Sequence, residues 1–352
     1  MTNPLARDLD HVLAHTEPLW ADARGSRFFL TGGTGFVGTW LIESLLWANR
    51  RLDLGLSAIL LTRNPAAFQA RSPHLAEDPA VTLQSGDAAS FQFPEGAFPF
   101  VIHAATERYF PPGGERPVST FDADIAATRR TLEFARTHGA ARFLFTSSGA
   151  VYGKQPPEMT HIPEDYPGAP SPSDAGSAYG QAKRISEFLC SSYASVYGFD
   201  ALIARLFAFV GPYLPLDANY AIGNFIRDGL AGGPIRIEGD GTPYRSYLYA
   251  ADLAIWLCTI LFRGASGRPY NVGSERDVPI SELARAVAAE IHPPAGIEMA
   301  GVARPGAPPQ RYVPSTARAR AELGLDEWIA LPEAIRRTAA WHAAARFAQA
   351  RS

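Results

Sequence analysis

Cysteine is scarce in this chain, with two in 352 residues, Cys190 and Cys258. They stand far apart in apolar helical patterns, which predicts two small core residues and not a disulfide or redox pair. That fits a reducing cytoplasm. Long apolar runs are also missing. The longest, Leu253 to Phe262, is ten residues, about half a membrane span, and reads as a buried helix. Arg7, Asp8 and Asp10 stand where a signal peptide needs an apolar stretch. No Lys/Arg cluster occurs, and the formal net charge is −3, so there is no electrostatic footprint for nucleic acid. GxSxG, HExxH and CxxC patterns are absent. His11 and His15 lie four apart on a predicted helix, but no third ligand is near in sequence, so a solvated face is expected there and no metal. These absences predict a soluble, cytoplasmic protein without membrane or nucleic-acid partners.

The chain has 47% hydrophobic residues, ample for a core, and 19% charged ones. Its length fits two domains, or one large α/β domain with an elaboration. The most informative stretch is Arg27 to Trp40, RFFLTGGTGFVGTW. An apolar strand, Phe28 to Leu30, runs into a glycine turn and then into an amphipathic helix, Phe36 to Trp47. Gly32, Gly35 and Gly38, with Gly33 besides, allow a tight turn. They also let a pyrophosphate approach the N–H groups that open the helix, where the dipole favours an anion. This is the pattern of a dinucleotide-binding turn.

Further strands are predicted at Ala58 to Leu61, Val81 to Gln84, Phe100 to His103, Arg142 to Ser147 and Ala201 to Leu206. Long helices are predicted at Ser119 to Thr137 and Ala178 to Tyr197. Strands alternating with helices mean right-handed crossovers and a parallel sheet. The expected fold is α/β, a doubly wound Rossmann-type parallel sheet with a smaller C-terminal α/β substrate domain. Residues 1–26 read as a helical extension, with an apolar stripe at Leu5, Leu9, Val12 and Leu13. Residues 27–211 form the dinucleotide-binding domain. Residues 212–352 form the substrate domain, part of which packs back on the sheet. Helices at Ile222 to Leu230, Ser281 to Glu290 and Leu331 to Ala344 and a strand at Ile235 to Ile237 are expected there. The Pro-rich loop Gln155 to Pro172 lies at the ligand edge and reads as a lid.

Chemistry is carried by two further segments. The fifth strand ends in Thr146-Ser147-Ser148 and delivers hydroxyls to the carboxyl edge of the sheet. Tyr179 and Lys183, four apart, share one helical face. A phenol, with a pKa of ~10, is a poor base at neutral pH. A neighbouring ammonium favours the phenolate. Tyr179 is thereby suited to exchange a proton with a substrate hydroxyl while hydride moves to or from a nicotinamide. A serine hydroxyl aimed at the same oxygen stabilises developing charge.

At these residues the chain resembles the extended short-chain dehydrogenase/reductase family, in its nucleotide-sugar epimerase/dehydratase branch. TGGTGFVG (Thr31 to Gly38) resembles the family's TGxxGxxG loop, which implies cofactor contacts from Gly32, Gly35, Phe36, Val37 and Gly38. SGDAASF (Ser85 to Phe91) implies an adenine contact from Asp87 with Ala88. HAAT (His103 to Thr106) resembles the strand end that lines the cofactor, here Ala104, Ala105 and Thr106. SSGAVYG (Ser147 to Gly153) places the catalytic hydroxyl on Ser148, four residues before Tyr152. YGQAK supplies Tyr179 and Lys183, the lysine also holding the nicotinamide ribose. GDGTPYRSYLYAADLA (Gly239 to Ala254), YNVGS (Tyr270 to Ser274) and ARPG (Ala303 to Gly306) resemble C-terminal signatures, which imply that Arg245 and Arg304 hold a substrate diphosphate. Guanidinium forks suit phosphate oxygens. The resemblance further implies a homodimer paired through the helices Ser119 to Thr137 and Ala178 to Tyr197.

Departures from the family pattern narrow the reaction. The family's 4,6-dehydratases follow the catalytic hydroxyl with an Asp-Glu pair, and its decarboxylases want the glutamate. Here Gly149 and Ala150 stand in those places, and neither moves a proton. An epimerase or a 4-ketoreductase acting on a nucleotide-diphosphate sugar is therefore expected. RLFAFVGP carries Ala208 where an asparagine is usual, and Asn224 is the substitute donor to the diphosphate. Asp124 replaces another usual asparagine. The second strand ends in Leu61-Thr62-Arg63-Asn64 without the acid that NAD-binding members place there. Arg63 suits a 2′-phosphate, so NADP(H) is favoured and NAD stays open. A dehydratase with its carboxylate elsewhere, an NADPH-dependent reductase of a non-sugar ketone and a non-catalytic NADP sensor are the alternatives. Retention of Ser148, Tyr179 and Lys183 argues against the sensor.

Overall fold

The computed structural model describes residues 3–106, 117–218, 220–291 and 295–349, the last four as backbone only. Its strands are β1 (Arg27–Thr31), β2 (Ser57–Thr62), β3 (Val81–Ser85), β4 (Phe100–His103), β5 (Arg142–Ser148), β6 (Asp200–Leu206), β7 (Phe209–Val210), β8 (Ile235–Ile237), β9 (Tyr244–Arg245), β10 (Leu248–Tyr249), β11 (Pro269–Val272), β12 (Val278–Pro279), β13 (Ile297–Met299) and β14 (Arg311–Tyr312). The helices are α1 (Ala6–Thr16), α2 (Phe36–Leu52), α3 (Pro65–Arg71), α4 (Pro73–Ala76), α5 (Pro117–Thr137), α6 (Ala178–Tyr197), α7 (Ala221–Leu230), α8 (Ala250–Arg263), α9 (Ile280–Glu290), α10 (Ala317–Leu323) and α11 (Leu331–Gln349).

Seven strands form one parallel sheet in the order β11-β6-β5-β4-β1-β2-β3. The chain runs outward from β1 through β2 to β3, then returns to pair β4 on the other side of β1. That reversal opens a crevice at the carboxyl ends of β1 and β4, where ligands of such sheets bind. Six of its strands are those read in residues 27–211, and the strand read at Ile235 to Ile237 pairs elsewhere, with β13. The seventh, β11, comes from the segment assigned to the substrate domain. Its four residues, PYNV, include a proline and an asparagine, both depleted in strands, and pairing with β6 makes them a strand.

Helix α8 also returns from that segment. Residues Ala250 to Phe262 are all buried, because the helix lies between the sheet and α1 and α2. The apolar run read as a buried helix is therefore a structural layer, and among the described residues no helix is long and apolar enough to cross a membrane. On the opposite face, Phe29, Phe91, Phe98 and Phe134 form an aromatic cluster, with Phe29 and Phe134 centroids 4.4 Å apart. Each such buried ring contributes about 1.5–3 kcal/mol by burial. Both cysteines are buried and unpaired.

The N-terminal helix docks as its stripe predicts, with Leu9 and Val12 buried. Tyr249 donates to Asp8 at 2.6 Å, and Arg337 of α11 pairs with the same carboxylate. His11 is half-buried and bonded to the buried Asp252 at 3.1 Å, whereas His15, one turn on, is exposed, so the expected solvated face holds for His15 and not for His11. The Pro-rich loop differs from its expected lid role. Ile162 exchanges backbone bonds with Val313 and Ser315, and Asn271 Nδ2 donates to Ile162 O at 2.9 Å. The loop is bolted to the C-terminal segment, and none of its residues lines the crevice.

Candidate active site

The glycine turn is built by close approach. Gly32 has φ +69°, and a Cβ there would sit 2.5 Å from Ala104 C and Ala105 N. A Cβ on Gly38 would fall 2.3 Å from Gly32 O. Side chains at either position would drive the turn away from β4 and from the start of α2. What remains is bare backbone at a helix N-terminus, a surface suited to a pyrophosphate. His103 braces the same corner. Its ring nitrogens meet Thr31 Oγ1 at 2.6 Å and Thr128 Oγ1 at 3.1 Å. Burial, aided by the charge of Lys183, pushes its pKa down to about 3, so it is a neutral strut.

Below the turn lies a cleft of about 620 Å³. The structure brings together there every cofactor and catalytic candidate read from the sequence: Gly32, Gly35, Phe36, Val37, Gly38, Arg63, Asp87, Ala88, Ala104, Ala105, Thr106, Ser148, Tyr179 and Lys183 all line it. It can hold an extended dinucleotide, since the glycine turn, the end of β2 and the end of β4 share one wall.

At the reacting end, β5 carries Ser148 and α6 carries Tyr179 and Lys183. Ser148 is buried, and its Oγ accepts from Ala150 N at 3.2 Å. Lys183 is buried too. Its ammonium donates to Thr146 O at 3.1 Å and lies 4.8 Å from the Phe145 ring centroid and 5.7 Å from that of Tyr179. A buried ammonium is costly unless bonded, and the carbonyl and ring faces offset that cost. Tyr179 is half-buried on the first turn of α6. Thr106 Oγ1 donates to the buried Asp124 carboxylate at 3.2 and 3.1 Å, and both line the cleft.

The three substrate candidates stand outside the cleft lining. Arg245 on β9 is half-buried, with Nη1 bonded to Tyr244 O at 2.7 Å and its guanidinium 6.0 Å from the Tyr312 ring centroid. Arg304 is exposed in the loop after β13. Asn224, with its amide oriented to satisfy both atoms, donates to Leu216 O at 3.1 Å and Ala218 O at 2.9 Å. Its donors are spent on the backbone, so it is not set to bind a phosphate.

Gly149 is hemmed in. A Cβ there would lie 2.7 Å from the Phe207 ring and from the Tyr312 hydroxyl. The missing carboxylate thus has no vacant place waiting for it. Among the cleft-lining residues the carboxylates are Asp87 and Asp124.

Sequence reading missed Arg71 and the wall Leu214, Pro215, Ala218, Tyr220 and Tyr247. Arg71 could have been found. Asn64 caps α3 through Ala67 N at 3.0 Å, with proline at its first position, a readable helix start that places Arg71 in the last turn. There it bonds Thr34 O of the glycine turn.

Comparison with known proteins agrees with this geometry. The chain is 29% identical over 322 residues to UDP-glucuronic acid decarboxylase 1 of Arabidopsis thaliana, covering 91% of this chain and 70% of that protein. An epimerase from Methanothermobacter thermautotrophicus has a TM-score of 0.77 at 23% identity, with 99% of each chain covered. A dTDP-glucose 4,6-dehydratase from Streptomyces venezuelae, solved with NAD, also has a TM-score of 0.77 at 23% identity, covering 91% of this chain and 98% of that one. At such identities the two structures show the shared fold. The model of the NAD dependent epimerase/dehydratase family matches residues 28–273. On this match, with the glycine turn and the Ser148, Tyr179 and Lys183 cluster in one cleft, the chain belongs to the NAD dependent epimerase/dehydratase family.

Proposed function

We propose that the protein is a nicotinamide-dependent epimerase or 4-ketoreductase of a nucleotide-diphosphate sugar. The observation that carries this choice is Gly149, crowded by Phe207 and Tyr312, beside Ala150, in a cleft that keeps Ser148, Tyr179 and Lys183. Such a site moves one hydride and one proton, and lacks the paired carboxylates that eliminate water.

Tyr179 transfers the proton to or from the hydroxyl oxygen on C4 of the sugar. Ser148 hydrogen-bonds that oxygen as its charge changes. Lys183 orients the cofactor ribose and favours the phenolate. The nicotinamide, when bound, supplies or accepts the hydride. Arg245 and Arg304 hold the substrate diphosphate. Arg245 supports this through its place two residues before Tyr247, which lines the cleft. Arg63 at the end of β2 favours NADP(H) over NAD. The chain acts as a homodimer through α5 and α6. Phe188 is 66% and Val196 70% exposed on α6, with Ile185 on the same face and Val118 at the start of α5. An uncovered apolar stripe of this kind marks an interface.

A second reading comes from the curated relatives. UDP-glucuronic acid decarboxylases 1 and 6 of Arabidopsis thaliana are 29% and 27% identical to this chain. Oxidation at C4 of a sugar with a C5 carboxyl makes a β-keto acid, which loses carbon dioxide readily. The first step is then the same and the outcome differs.

The test is product analysis by mass spectrometry and NMR with UDP- and dTDP-linked hexoses and UDP-glucuronic acid, together with identification of the copurifying dinucleotide. A product inverted at one carbon, with tightly held NAD, supports the epimerase. A reduced 4-keto sugar with NADP(H) turnover supports the reductase. Release of carbon dioxide, or loss of water from a hexose, overturns both.

A further inference from the structure

Tyr213 has φ +70°, one of two non-glycine residues with positive φ among the described residues. A bulky side chain in this region is strained and persists only where its surroundings over-determine it. Here they do. The Tyr213 hydroxyl donates to Glu43 Oε1 at 2.7 Å. Its ring meets the Trp341 ring edge-on, centroids 4.8 Å apart. Pro212, just before it, accepts from Trp40 Nε1 at 2.9 Å.

Glu43 is itself unusual. It is a fully buried carboxylate on α2, bonded also by His74 Nε2 at 2.8 Å and Asn3 Nδ2 at 3.0 Å. Burying a carboxylate is costly unless donors converge on it. Burial and the Glu43 charge together hold the Tyr213 phenol far above its ordinary pKa, so the hydroxyl remains a donor.

The strained residue leads directly into Leu214, Pro215 and Ala218, which line the cleft. Asn224 pins the far end of that segment through Leu216 O and Ala218 O. The near end is pinned to α2, the helix that the glycine turn opens and Gly35 caps. Arg71 lines the same cleft as that segment, and its guanidinium bonds Thr34 O in the glycine turn.

We propose that Glu43 and Tyr213 form a latch that sets the cleft wall Leu214 to Ala218 at a fixed spacing from the glycine turn, and thereby sets dinucleotide affinity. Both are positioning residues, and neither lines the cleft. The inference rests on the cleft being a dinucleotide site.

The test is calorimetric binding of NADP⁺ and NAD⁺ to the intact chain and to two variants. Tyr213→Phe removes the hydroxyl alone. Tyr213→Gly removes the side chain but adopts φ +70° without strain, which keeps the fold accessible. Both raise the Kd of the preferred dinucleotide about tenfold, the scale of a hydrogen bond to a charged group. The KM for dinucleotide follows, with kcat at saturation little changed. Unchanged Kd in both variants overturns the latch, even where the melting temperature falls, because the pair then supports the fold alone. A wild-type chain that binds neither dinucleotide overturns the cofactor reading itself.

Discussion

Arg205 grips Glu187 with two parallel bonds, Nε to Oε1 at 2.9 Å and Nη2 to Oε2 at 2.7 Å. The pair ties β6 to α6, one helical turn past Lys183. Glu187 also accepts from Ser147 Oγ at 2.5 Å, the residue beside Ser148. Arg205 Nη1 donates to Tyr152 OH at 2.8 Å, which donates to Asn271 Oδ1 at 2.7 Å. Burial pushes the Tyr152 pKa up to about 12. Three strand ends and α6 thus share one network behind Ser148, Tyr179 and Lys183. Removing one partner strands the other's charge, so Arg205→Met destabilises the fold by about 3–5 kcal/mol. Arg205→Met with Glu187→Met recovers most of that loss. Urea denaturation of the single and double variants checks both outcomes.

Loss of the proton carrier is more severe than loss of its helper. Tyr179→Phe lowers kcat by about 10²–10⁴, the usual worth of a positioned acid or base. Ser148→Ala lowers it by about 10²–10³, the worth of one donor to a developing oxyanion. Steady-state rates on an identified sugar nucleotide measure both. Near-native turnover by Tyr179→Phe sinks the assignment.

Restoring the dehydratase carboxylate does not restore dehydration. The Cβ of Gly149→Asp meets the Phe207 ring and the Tyr312 hydroxyl at 2.7 Å, and such overpacking costs about 1–3 kcal/mol. The variant melts at lower temperature and releases no water from a hexose substrate. Thermal denaturation and product analysis read the two effects.

Acid sensitivity follows from His103. Its folded pKa, about 3, lies below the ordinary value of about 6.5. Between those values the unfolded chain binds a proton that the folded chain does not. Its stabilising effect is therefore complete above about pH 6.5 and is lost as pH falls toward 3, at a slope of up to about 1.4 kcal/mol per pH unit. Denaturation at pH 7, 6 and 5 shows a shallower slope for His103→Asn than for the wild type.

On the proposed reading Arg63 favours NADP(H). Arg63→Ala lowers the preference for NADP over NAD by about tenfold or more, since the loss of a phosphate-facing guanidinium removes a charge-assisted hydrogen bond. The ratio of kcat/KM for the two dinucleotides is the measurement. An unchanged ratio removes the support for NADP.

Much of the fold was legible because its signals are local. The glycine spacing, the six strands of the main sheet and the long helices each reflect a period or a turn read within about twenty residues. Tyr179 and Lys183 share a face by helical geometry alone. β11 was not legible, because PYNV includes two residues depleted in strands, proline and asparagine, and becomes a strand by pairing with β6. Asn224 looked like a ligand donor by its place at the start of a predicted helix, yet its amide was claimed by two carbonyls eight and six residues before it. The Pro-rich segment looked like a lid, yet it is bolted down by residues about 150 positions later.

The sequence by itself determined the layered α/β scaffold, the glycine turn and the shared helical face of Tyr179 and Lys183, since each depends on residue type at fixed short spacing. Only the tertiary structure decided that Gly149 has no room for a carboxylate, that Glu43 holds a strained Tyr213 across 170 residues, and which segments wall the cleft. These depend on contacts between distant segments, where close packing settles what fits and buried polar groups take whichever partners the fold brings within reach.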